Sequence, residues 1–141
     1  DDIDVVAEKK SFEKIFKYLE NDKIKIIKYN YYYKLFYKDN KSKHNYPWSW
    51  PFIDIFLYTI DSDKLIIEEW QNKEKEYLKT DILPTKKAKF EEIFLNIPKK
   101  SIKILNNYYP NWNKICKSGT WDHKLEKNKK EATLPCKMII K

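Results

Sequence analysis

Several residue types are missing or scarce in this chain of 141 residues. It has no arginine, so all 29 basic residues are lysine, and it has a single glycine. Bidentate recognition of phosphate usually relies on arginine, so an anion site in this chain would have to use lysine as a point charge. With one glycine, the turns must rely on asparagine, aspartate and proline.

Cysteine and long apolar runs are also scarce. Cys116 and Cys136 do not form a close Cys-x-x-Cys pair, which argues against a zinc site within this chain. They are expected to form a disulfide in a lumenal compartment, or to be ordinary thiols elsewhere. No apolar run approaches the roughly 20 residues that cross a bilayer, so no transmembrane segment is predicted in this chain.

The residues that are present suit one folded domain over 1–141. The chain is 42% hydrophobic and 16% aromatic, which can supply a core. Its formal net charge of +8 favours an anionic partner. A donor containing pyrophosphate fits that charge, and so does nucleic acid.

An acidic pair opens the chain. Asp2 and Asp4 stand either side of Ile3, and residues two apart in a strand point to the same face. Two converging carboxylates repel each other, and a divalent cation removes that repulsion. The alternative is an acidic segment in solvent.

A second acid stands at the centre of an apolar segment, residues 50–58. The alternation predicts a strand in which Asp54 shares a face with Phe52 and Phe56. A carboxylate in such surroundings must be paired, hydrogen-bonded, protonated or bound to metal. Asp54 therefore either joins the acidic pair around a cation, or caps a turn or meets a lysine.

These segments together resemble the LicD/fukutin family of phosphotransferases. Members carry an acidic run that this chain enters at Asp1-Asp2-Ile3-Asp4-Val5, and a later strand that matches Phe52-Ile53-Asp54-Ile55. Further similarity covers most of the chain as far as residue 126. It includes Ile82-Leu83-Pro84-Thr85-Lys86, Phe90, Ile97-Pro98-Lys99, Leu105, Tyr109 and Asn111-Trp112.

The resemblance implies a fold and an activity. The fold class is α+β, a mixed sheet with flanking helices that is nucleotidyltransferase-like. The family's Gly-rich turn and arginine before the acidic run are missing, so the chain is expected to be a fragment, incomplete at the N-terminus. Relatives move a phosphorylated group, such as phosphocholine or ribitol phosphate, from a CDP-linked donor to a glycan hydroxyl, without nucleic acid.

In that scheme Asp2, Asp4 and Asp54 are the catalytic and metal-binding residues, and the cofactor is Mg²⁺ or Mn²⁺. Asp54 either completes the metal shell or accepts the proton of the attacking hydroxyl. Whether this chain alone is active stays open. The alternatives are an inactive or truncated relative that acts as a binding domain, and a basic nucleic-acid-binding domain. The location would be Golgi or secretory in a eukaryote and cytoplasmic in a bacterium.

Two polar segments are candidates for substrate binding. His44 lies in the loop that precedes the Asp54 strand, and Trp121, Asp122 and His123 follow the only glycine. A histidine near a metal site can act as acid, base or phosphate donor. The alternatives are an exposed loop histidine and a packed tryptophan with hydrogen-bonded neighbours.

The remaining pattern predicts alternating helices and strands. A helix over 11–21, capped by Ser11, has a core-facing stripe of Phe12, Ile15, Phe16 and Leu19. Two strands meet near Asn30, a further strand covers 64–69, and residues 70–80 are a short helix or connector. One strand covers 88–97, and Ser101 caps a helix over 102–109.

Overall fold

Alternating apolar and polar residues build a central sheet in the computed structural model, which describes residues 3–42, 45–69 and 73–138. Within that part of the chain the sheet is six-stranded. Antiparallel neighbours follow the order β2-β3-β4-β5-β6, and β1 pairs with β4 in parallel. The bounds are β1 Ile3–Glu8, β2 Ile24–Tyr29, β3 Tyr32–Tyr37, β4 Phe52–Asp61, β5 Lys64–Glu69 and β6 Lys73–Leu78.

Strand β4 lies at the centre of this arrangement. It pairs with β1, β3 and β5, and both of its faces carry buried side chains. One face packs Ile55 and Leu57 against Phe12 and Ile26. The other face carries Phe52 and Asp54, so the predicted alternation along β4 is confirmed.

The helix that follows β1 covers the first of these faces. Helix α1 spans Lys9–Leu19, and Phe12 is its buried residue. The predicted core stripe is only partly right, because Ile15 is 50% exposed and Phe16 is 36% exposed. The predicted cap is wrong: Ser11 lies inside the helix, where its hydroxyl donates to the Glu8 carboxylate.

Short elements complete the described chain. They are α2 Lys79–Ile82, β7 Lys86–Phe90, β8 Ile93–Ile97, α3 Ser101–Tyr108, β9 Ile115–Lys117, β10 Trp121–Asp122, β11 Lys127–Asn128, β12 Thr133–Pro135 and a 3₁₀ turn over Cys136–Met138. The α+β class and the mixed sheet are confirmed. None of the helices in the described ranges is long and apolar enough to cross a membrane.

Three predicted elements differ from the structure. Residues 73–78 form a strand, not a helix or connector, because β5 supplies a pairing partner that outweighs their charge. Residues 88–97 are parts of a hairpin, which turns at Glu91 with a positive φ of 51°. Ser101 begins α3 itself, and Lys100 occupies the cap position without a side-chain hydrogen bond.

Helices α2 and α3 are joined through a buried acid. The Asp81 side chain is 8% exposed, and it accepts hydrogen bonds from Lys100 Nζ at 2.7 Å and Lys103 Nζ at 2.5 Å. Hydrogen bonding, first from Lys100 and then from Lys103, holds the pKa of the Asp81 carboxyl below its usual value.

A disulfide links Cys116 to Cys136 and closes the segment that carries β10 and β11. Strand β9 pairs with β12 beside it, and Cys136 is buried. Of the two states expected for these cysteines, a disulfide or two thiols, the structure has the disulfide.

Replacing both cysteines by serine is expected to lower the free energy of unfolding by about 3 kcal/mol, since the linked loop restricts the unfolded chain. Urea titration of the wild type and the double variant measures the difference. The matched control is the wild type in reductant, which should behave like the variant. Equal stability of the oxidised wild type and the variant would contradict a structural role for the bond.

Candidate functional site

Three charged residues form a row across three neighbouring strands. In the parallel β1–β4 pair Asp4 lies opposite Asp54, and in the antiparallel β3–β4 pair Lys34 lies opposite Asp54. Paired residues on adjacent strands point to the same face, and adjacent strands lie roughly 4.8 Å apart. Asp54 therefore stands between an acid on one side and a base on the other.

The Lys34–Asp54 pair is buried. Lys34 Nζ donates to Asp54 Oδ1 at 2.7 Å and to Oδ2 at 2.9 Å. The two side chains are only 4% and 8% exposed. Buried charges require such pairing, because desolvation of a lone ion costs several kcal/mol.

Aromatic rings enclose the Lys34 ammonium. Nζ lies 3.6 Å from the ring centre of Phe52, 5.0 Å from that of Trp48 and 5.1 Å from that of Tyr32. Ring faces attract cations through their quadrupole, and the attraction grows when the cation is desolvated. We call Tyr32, Trp48 and Phe52 the aromatic cage.

A cavity of about 460 Å³ opens beside the aromatic cage. The C-terminal part of the chain closes one side of it, where the His123 ring stands 5.6 Å from that of Phe52. The lining residues are Tyr29, Tyr32, Lys34, Tyr46, Trp48, Phe52, Thr120, Trp121, His123, Glu126 and Asn128. The cavity thus combines apolar ring surface with a small number of polar groups, as small-molecule sites do.

The predicted site residues are partly brought together. Asp4 and Asp54 are neighbours in register, and Trp121 and His123 line the cavity beside Lys34. Asp122 Oδ1 accepts the backbone N–H of Leu125 at 2.8 Å, so it holds the turn that precedes Glu126.

Two of the predicted residues, Asp2 and His44, lie outside the described residues. Across the ranges 3–42, 45–69 and 73–138, no three histidine, cysteine, aspartate or glutamate side chains are grouped closely enough to hold a metal ion. Asp4 and Asp54 supply carboxylate oxygens, which Mg²⁺ prefers. The carboxylates of Asp4 and Asp54 are therefore of the type that binds Mg²⁺. A third acidic ligand would have to come from residues outside the described ranges.

Two site residues were missed from the sequence. Lys34 is one of 29 lysines, and its alternation with Tyr32 and Phe36 is the signal that places it on the buried face of β3. Glu126 belongs to a charge-rich segment, yet it is only 6% exposed and lines the cavity. No local pattern marks it, because its burial depends on the fold of residues 120–128.

Both acidic strands, β1 and β4, lie within a match to a known family. A family model described as LicD/FKTN/FKRP, nucleotidyltransferase domain, matches residues 1–100. The chain belongs to the LicD/FKTN/FKRP family. The match includes Asp4, Lys34 and Asp54, whereas Trp121 and His123 lie beyond it. No curated protein and no solved structure gave a significant match. LicD-family membership indicates phosphotransferase-type chemistry with a small-molecule donor and an acceptor.

Proposed function

We propose that this LicD-family chain is the catalytic domain of a metal-dependent transferase with a nucleotidyltransferase-like core. It moves a phosphorylated group of the phosphocholine or ribitol phosphate type from a CDP-linked donor to a glycan hydroxyl. The observation that carries the proposal is the register of Asp4 opposite Asp54 on two parallel strands. The family match over both strands supports it.

In this proposal Asp2 and Asp4 would hold Mg²⁺ or Mn²⁺. The bound ion supplies charge neutralisation on the leaving nucleotide. Asp54 is either the third ligand or the group that accepts the proton of the attacking hydroxyl. Lys34 fixes the orientation of the Asp54 carboxylate through its two hydrogen bonds.

The cavity would bind the transferred group or the acceptor. Trp121 offers a ring surface, and His123 offers ring nitrogens to a hydroxyl or phosphate oxygen. Asp122 supports that segment through its bond to Leu125. His44, which precedes β4 in the sequence, is also proposed to bind the substrate.

A second candidate function is a binding domain without catalysis. The observation that favours it is that the Lys34 ammonium already donates hydrogen bonds to both oxygens of Asp54. In that case Lys34 would replace the cation that an active relative needs at Asp54, and ligand binding in the cavity would remain.

Metal titration separates the two candidates. Isothermal calorimetry of the chain with Mg²⁺ or Mn²⁺ is expected to give a binding signal that Asp4→Asn removes, since this variant loses a charged oxygen ligand. Asp54→Asn removes the signal as well if Asp54 is the third ligand, and leaves it if Asp54 is the proton acceptor. Asp61→Asn is the matched control, because Asp61 is an exposed acid at the far end of β4. It should bind like the wild type. A wild type that binds neither ion would favour the binding domain.

A further inference from the structure

We infer that one end of the central sheet binds a single-chain amphiphile with an anionic head group. The alkyl chain lies in an apolar cavity of about 520 Å³. The head group lies beside Lys25, in an adjoining polar cavity of about 510 Å³. The inference stands on the lining of these two cavities and does not depend on the proposed function.

A row of aliphatic residues contributes to the apolar cavity. Ile3 lies opposite Ile53 in the β1–β4 pair, and Ile53 lies opposite Leu35 in the β3–β4 pair. Each of the three is next in sequence to one residue of the charged row, so the aliphatic row points to the opposite face of the sheet. None of the described residues that line this cavity is charged.

The apolar cavity is open to water. Ile3 is 46% exposed and Tyr37 is 52% exposed, although both contribute to its walls. Its volume lies within the range of roughly 300–1,000 Å³ that is typical of small-molecule sites. An alkyl chain in the cavity would remove this apolar surface from water, and each buried methylene group would tighten binding about fourfold.

The polar cavity adjoins the apolar one at the start of β2. Lys25 lies opposite Phe36 in the β2–β3 pair, and both residues line the polar cavity. Phe36 also lines the apolar cavity, and so does Ile24, the residue before Lys25. A flexible ligand in the apolar cavity can therefore extend past Phe36 to reach Lys25.

The charges of the polar cavity favour an anion. Lys38 Nζ lies 3.5 Å from Glu20 Oε1, so these two charges largely offset each other. Lys25 Nζ has no ion-pair partner among the described residues, which leaves the polar cavity with a net positive charge. The Ser42 hydroxyl accepts the backbone N–H of Tyr46 at 2.9 Å, so its own hydrogen can be donated to an anion.

A series of alkyl phosphates tests the inference. Calorimetric titration of the chain, at ligand concentrations too low for micelles, compares hexyl phosphate, octyl phosphate, octanol and inorganic phosphate. Octyl phosphate is expected to bind at least about tenfold more tightly than hexyl phosphate, because two more methylene groups are buried. It should bind at least about threefold more tightly than octanol, which has the same chain without the charge.

Inorganic phosphate, which has no chain, should bind far more weakly than octyl phosphate. Affinity that does not rise with chain length would overturn the alkyl site. Octanol binding as tightly as octyl phosphate would overturn the anionic head group. Inorganic phosphate binding as tightly as octyl phosphate, or binding of none of the four ligands, would overturn the whole inference.

One pair of variants assigns the head group. Lys25→Gln removes an exposed charge and is expected to reduce the affinity for octyl phosphate to about that for octanol. Lys28→Gln is the matched control, because Lys28 is an exposed lysine of the same strand that lies outside the lining of both cavities. Unchanged binding of octyl phosphate by Lys25→Gln would overturn the role of Lys25.

A second pair of variants assigns the alkyl chain. Ile3→Asn places a polar group in the apolar wall and is expected to weaken octyl phosphate binding at least about threefold. Val6→Asn is the matched control, since Val6 is 45% exposed on the same strand and lies outside the cavity lining. Thermal unfolding shows whether both variants are folded. Equal affinities of the two folded variants would overturn the placement of the chain.

Discussion

Replacing Asp4 by alanine is expected to abolish Mg²⁺-dependent release of CMP from a CDP-linked donor, with a loss of at least about 100-fold in turnover. Asp4 is the exposed acid in register with Asp54, so it is the described carboxylate best placed to meet a cation that reaches the site from solvent. Asp2→Ala should have the same effect, because alternation along a strand predicts that Asp2 faces the same way. Chromatographic measurement of CMP over time, at several Mg²⁺ concentrations, follows the reaction.

The control for this experiment is Asp61→Ala, which removes an exposed acid from the end of β4, the strand that carries Asp54. It should retain wild-type turnover. Thermal unfolding of each variant shows whether a loss reflects chemistry or folding, and Asp4→Ala should melt close to the wild type because its side chain is exposed. Unchanged CMP release in a folded Asp4→Ala variant would defeat the proposed metal site.

Replacing Lys34 by methionine is expected to lower the free energy of unfolding by about 3–5 kcal/mol, the usual effect of removing one partner from a buried ion pair. The methionine would fill much of the same space, so the change lies mainly in the loss of the Lys34 charge beside the Asp54 carboxylate. Urea-induced unfolding, followed by tryptophan fluorescence, gives the difference between variant and wild type.

Two comparisons make this result specific. Lys34→Met/Asp54→Leu removes both charges and should recover much of the lost stability, because no buried ion is left without a partner. Lys64→Met breaks the ion pair between Lys64 and Glu76, in which the two side chains are 51% and 52% exposed. This variant should change the free energy of unfolding little, because an exposed ion pair contributes little to stability. A Lys34→Met variant as stable as the wild type would show that the pair is not needed to hold the fold.

Much of the central sheet could be predicted from the sequence because its strands carry their own signal. The alternation from Phe52 to Tyr58 identified β4 and its buried acid, and the turn near Asn30 separated β2 from β3. Asn30 has a φ of 54°, a conformation that asparagine adopts more readily than most residues. Strand β6 was missed because its charged residues read as a surface segment, and its pairing with β5 is a tertiary effect.

The site was less accessible to sequence reasoning. Asp4 and Asp54 were expected to lie together, and the parallel register places them opposite each other. The partner of Asp54 was not identified, because any of 29 lysines could have met it and only the register of β3 selects Lys34. The approach of His123 to Phe52 depends on the path of residues 111–128, and no local periodicity encodes that path.

The burial of Lys34 beneath the rings separates two kinds of electrostatics in this basic protein. Dissolved ions screen exposed charges over a Debye length of about 8 Å at physiological ionic strength, but they screen a desolvated pair far less. Added potassium chloride should therefore weaken the general attraction of the lysine-rich exterior for anions, while the buried Lys34–Asp54 pair is affected little. Ionic strength becomes a means of distinguishing adsorption on the outside of the molecule from recognition within it.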